Sequence, residues 1–101
     1  MFDPLLTVFE KILEKYLKDK LKGIEKFHLL TELRRLAYNY SIGNIDEDDI
    51  RAYLSDLLDT MFYEELDEDL KNKLINDFIK AMRVEKTSRT LSIPRKPFGL
   101  T

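Results

Sequence analysis

The sequence predicts an all-α protein, a small bundle of about four amphipathic helices with an extended C-terminal tail. Three observations lead there. Apolar residues recur at three- and four-residue steps along most of the chain, the period of a helix with one buried face. The three glycines and three prolines among 101 residues stand at the edges of those periodic stretches or beyond them. Acidic residues cluster where the third and fourth stretches begin, as the positive pole of a helix dipole favours.

The first helix is expected from Pro4 to about Leu21. Asp3 is a good N-cap, and Pro4 at the first helical position loses no needed N–H. Leu5, Leu6, Phe9, Ile12, Leu13, Tyr16 and Leu17 form its apolar stripe, and Gly23 is read as its stop, with a bend there as the alternative. The second helix is expected from Ile24 or Glu25 to Ser41, with Phe27, Leu30, Leu33, Ala37 and Tyr40 inward, Leu29 and Leu36 widening the stripe, and Arg34 and Arg35 mostly outward. Of Tyr38 and Tyr40, one is expected in the core and the other half exposed. Gly43 fits the left-handed position after a helix end.

The third helix has the clearest start. Asp46 is the expected N-cap, Glu47, Asp48 and Asp49 fill the first turn, and Ile45 and Ile50 have the spacing of a hydrophobic staple. Its stripe is Ile50, Tyr53, Leu54, Leu57, Leu58, Met61 and Phe62. The fourth helix is expected from near Asp67 to about Val84, through Leu70, Leu74, Phe78, Ile79 and Met82. The link from Tyr63 to Leu66 is a weak breaker, so a nearly continuous, kinked third and fourth helix is an alternative. Short connections favour antiparallel neighbours.

Composition changes at Glu85. Residues 1–84 read as the helical bundle domain; residues 85–101, EKTSRTLSIPRKPFGLT, read as a basic, proline-containing tail with no helical period. The net charge of −2 conceals a strong asymmetry: residues 44–70 carry one Arg against eleven Asp and Glu, whereas residues 1–35 and 71–101 are net basic.

Several function classes lose support. Without Cys there is no disulfide framework, thiolate chemistry or Cys-based zinc site. No apolar run approaches the roughly 18 residues of a membrane span, and the opening MFDPLL has no basic segment followed by an apolar one, so a cytoplasmic protein without a secretory signal is expected. The absence of Gln beside abundant Lys, Glu, Leu and Ile leans toward a thermophile's composition. The three glycines are isolated, so no phosphate-binding loop is present, and neither a catalytic residue nor a cofactor is expected.

Four features merit weighing as sites. Glu25 and His28 have the Glu-x-x-His spacing of carboxylate-bridged metal bundles, but a second copy is lacking, and they fall on the polar face with Glu32 and Arg35. Asp46 to Asp49 are explained by capping without a cation, and no EF-hand loop is present. The wider acidic block, represented by Asp56, Asp59, Glu64 and Glu65, reads as a solvated face or as a docking face for a basic partner. The tail combines apolar anchors with cations and a Pro-x-x-Pro run at Pro94–Pro97; Leu91, Ile93, Arg95, Lys96 and Phe98 are its expected partner-binding residues.

These features point to a non-enzymatic accessory or adaptor subunit that docks on a larger protein assembly through the tail and the acidic face of the third and fourth helices. A second reading is nucleic-acid binding through the first two helices and the tail, with Arg34, Arg35, Arg89, Arg95 and Lys96 as contacts. A third is a homo-oligomeric structural protein of viral or plasmid origin, favoured if the apolar stripes are wider than a monomer of this size can bury.

Overall fold

The computed structural model describes residues 3–62 and 66–92 and, among these, every side chain but those of Asp19 and residues 88–92. Four helices form the bundle: α1, Pro4–Leu17; α2, Gly23–Ser41; α3, Glu47–Met61; and α4, Glu68–Ser92. Cross-helix contacts fix their directions. Asp3, the N-cap of α1, and Glu10 within it meet Arg34 and Lys26 of α2, so the two run antiparallel. Tyr40 pairs with Glu47 and Glu32 with Tyr53, which reverses direction again for α3. Arg83, Asn76 and Lys71 of α4 meet Glu47, Arg51 and Asp59 of α3 in falling order. The topology is up-down-up-down, and α4 packs against all three other helices.

Both expected N-caps form. Asp3 Oδ1 accepts the Leu5 and Leu6 N–H groups at 3.1 and 3.4 Å. Asp46 Oδ1 accepts the Asp49 N–H at 2.9 Å while Asp49 Oδ2 accepts the Asp46 N–H at 3.0 Å, a reciprocal box that employs both carboxylates as caps. α2 ends in a Schellman motif: the Gly43 N–H reaches the Tyr40 carbonyl and the Asn44 N–H reaches that of Asn39, with Gly43 at φ +85°.

The core is one cluster. Phe9 and Phe78 are fully buried and meet edge to face, ring centres 5.6 Å apart at 84°. Leu13 and Leu17 of α1, Leu29, Leu33 and Ala37 of α2, Ile50, Leu54 and Leu58 of α3, and Leu74, Ile79 and Met82 of α4 surround them.

Four expectations need correction. α1 stops at Leu17, not near Leu21, because Lys18, Asp19 and Lys20 offer nothing to bury and the chain tightens into a 3₁₀ turn there. Gly23 is therefore not the stop of the first helix but the first residue of α2. α3 and α4 are not one kinked helix: α3 ends at Met61, capped by the Phe62 N–H on the Leu58 carbonyl, and α4 folds back along it. α4 also continues past Val84 to Ser92. The segment 85–92 contains no Gly or Pro, and its first turn is tied to α2. The Glu85 carboxylate accepts from Arg34 at 2.9 Å, and Lys86 Nζ sits 4.3 Å from the centre of the Tyr40 ring. The compositional change at Glu85 is thus not a helix end.

Candidate interaction surface

α2 carries two apolar faces. The inner one, Leu29, Leu33, Leu36, Ala37 and Tyr40, is buried. On the opposite side, at 3.6 residues per turn, lie Ile24, Phe27, Tyr38 and Ile42, which are 86%, 72%, 51% and 46% exposed. Phe27 was expected in the core stripe and is not there. One helix against a bundle buries only one side, and Leu29, Leu33 and Leu36 take it. Of the seven large apolar side chains exposed among the described residues, three belong to α2 and a fourth, Ile42, is its C-cap.

This outer face borders an open groove of about 490 Å³ between α1 and α2, with Leu6, Phe27, Leu30 and Tyr38 as apolar lining and Arg34 and Arg35 at its edge. Neither guanidinium is a free cation. Arg34 forks between α1 and α4: Nε–H donates to Asp3 Oδ2 at 3.0 Å and Nη1–H to Glu85 Oε1 at 2.9 Å. Partial burial works against its charge, and the two carboxylates more than offset this, raising its pKa. It was expected to face mostly outward; it is half-buried because it joins three helices. Arg35 pairs with Glu32 and donates to the Tyr53 hydroxyl at 3.2 Å, and that hydroxyl donates to Glu32 at 2.7 Å. Hydrogen bonds from Tyr53 and Arg35 hold the Glu32 carboxyl below the usual range. Tyr53, expected in the stripe of α3, is instead an exposed member of this surface network.

At the far end of α2 the Arg83 guanidinium and the Tyr40 hydroxyl, which donates at 2.8 Å, hold Glu47 down to about 2. A smaller apolar recess between α1 and α4, lined by Pro4, Val8, Ala81 and Val84, lies beside Asp3 and Glu85.

The other residues singled out from the sequence are not brought together. His28 is exposed on α2. Asp56 is exposed on α3, whereas Asp59 accepts from the buried Lys71 at 3.0 Å and is already paired. Glu64, Glu65, Ile93, Arg95, Lys96 and Phe98 lie outside the described residues, and Arg89 and Leu91 are described only as backbone of α4. Among the described residues no group of three or more His, Asp or Glu is placed to hold a metal ion, and no helix is long and apolar enough to cross a membrane.

Sequence reasoning missed Ile24, Ile42 and the outward Phe27. The signal was present: Leu29, Leu33, Leu36 and Tyr40 already fill one face at steps of three and four, and Ile24, Phe27 and Tyr38 fall about half a turn from it. No protein-family model, curated protein or solved structure matches the chain.

Proposed function

We propose that this bundle is a non-enzymatic protein–protein interaction module, an accessory subunit whose principal contact face is the outer side of α2. The observation that carries this reading is the exposure of Ile24 and Phe27 on a helix whose other face already completes the core. Phe, Tyr and Arg are the residue types enriched at protein contacts, and this face offers Phe27, Tyr38, Arg34 and Arg35 with Lys26 turned aside onto Glu10. The tail residues Leu91, Ile93, Arg95, Lys96 and Phe98 supply a second contact, with cations that steer and apolar groups that anchor. Asp56 remains available to a basic partner.

The nucleic-acid reading has weaker support. Phosphate binding needs cations without counter-ions, and Arg34 and Arg35 are held by Asp3, Glu85 and Glu32.

A photo-crosslinking amino acid placed at Phe27, and as a control at the exposed Glu14 of α1, tests the proposal in cells that make the protein. Discrete protein adducts from position 27 and not from position 14 are expected. No adduct from position 27, or the same adducts from both positions, would overturn the reading.

A further inference from the structure

The outer face of α2 is laid out almost symmetrically about its own middle, and we propose that its occupant is a second copy of this chain, with the two α2 helices antiparallel. This deepens the interaction reading and rests on it. Along the helix the exposed apolar groups come in the order Ile24, Phe27, Tyr38, Ile42, with Thr31, Arg34 and Arg35 between them. When one copy is turned end for end about a two-fold axis on the outer face, at the level along the helix midway between residues 32 and 33, Phe27 falls opposite Tyr38 of the other copy. Ile24 then falls opposite Ile42 to within one residue, an axial offset of about 1.5 Å. An isologous contact of this kind needs a patch complementary to itself, and the stripe has that property. A parallel pairing would set Phe27 beside Phe27 and the arginines beside their equivalents at every level.

The charges agree with the antiparallel arrangement. The chain entering α2 carries the exposed Lys18, Lys20 and Lys22, and the chain leaving it carries the exposed Asp46, Asp48 and Asp49. End-for-end pairing brings each basic end to the partner's acidic end, twice, and opposes the two helix dipoles. The arginines near the axis do not defeat the contact, because Arg34 and Arg35 each bring their own carboxylates and no unpaired charge is buried. From Ile24 to Ile42 the stripe is about 27 Å long. A single helix face of that length buries on the order of 1,000 Å² over both partners, the low end of specific interfaces, so the pairing is reversible.

Sedimentation equilibrium of the full chain through the micromolar range tests this. The mass is expected to rise from one chain to two with concentration, and added salt is expected to weaken the association. Phe27→Asp is expected to raise the dissociation constant at least tenfold with an unchanged helical circular dichroism spectrum. The chain has no cysteine, so pairing can be read directly: Phe27→Cys mixed with Tyr38→Cys is expected to form a disulfide between the two variants faster than either forms one with itself. A single-chain mass throughout would overturn the proposal, as would a two-chain mass that Phe27→Asp leaves intact, or faster self-crosslinking of Phe27→Cys. A single-chain mass together with adducts to a different protein from position 27 would overturn only the self-pairing. The absence of any adduct from that position would overturn the interaction reading itself.

Discussion

Arg83 of α4 closes on Glu47 in the first turn of α3, its Nη2–H donating to Oε1 at 2.6 Å while Nε–H engages Oε2. Thirty-six residues separate the two in sequence. Glu47 also accepts from Tyr40, so one carboxylate joins α2, α3 and α4 at the same end of the bundle.

The pairing predicts an acid-sensitive element of stability. Glu47 has a folded-state pKa near 2 against an ordinary value near 4.5. Its contribution is therefore complete above about pH 4.5 and is lost as pH falls through 2. Thermal unfolding followed from pH 6 to pH 2 checks this. Glu47→Gln is expected to lower the melting temperature at pH 6 and to flatten the fall between pH 4.5 and 2, so that the two proteins converge in acid.

Arg34 is expected to behave as a two-ended brace. Arg34→Ala frees Asp3 and Glu85 from their shared cation and should cost about 1–2 kcal/mol, between exposed pairs and charge-assisted hydrogen bonds. Arg34→Lys should recover less than half of that, because an ammonium on one stem does not fork between two carboxylates as a guanidinium does. Denaturant unfolding of the three proteins gives the comparison.

Two backbone positions have opposite expectations. Gly43 sits at φ +85° with open space where a Cβ would project, so Gly43→Ala should cost about 1 kcal/mol from conformation alone. Lys18 has φ +46° and ψ −113°, a conformation that favours glycine. Lys18→Gly should therefore stabilise the protein by about 1 kcal/mol. Urea midpoints of both variants test the pair.

Much of this fold was legible in the sequence, because most of its helices follow local rules. The caps at Asp3 and Asp46 depend on residues within three positions, and the turn at Gly43 on residues 39–44 alone. The end of α4 was not legible, because Glu85 and Lys86 are held by Arg34 and Tyr40, about fifty residues away in sequence. A change of composition at Glu85 resembles a boundary only while those partners are unseen. The contact face was half legible. Periodicity put Phe27 in the core stripe and left Ile24 and Ile42 unassigned, since it does not say which of two faces a neighbour will cover. The tail residues from Ile93 onward lie outside the described residues, so the sequence reading of them stands as a proposal.

α2 has two apolar faces, of which the fold uses only one. The direct measurement is the unfolding free energy of Leu33→Ala and Phe27→Ala, taken at concentrations low enough to keep chains apart. Leu33→Ala should lose about 2–5 kcal/mol, as a fully buried leucine does, and Phe27→Ala should stay within about 0.5 kcal/mol of the parent. A loss at Phe27 equal to that at Leu33 would mean the ring belongs to the monomer's core and would contradict the account.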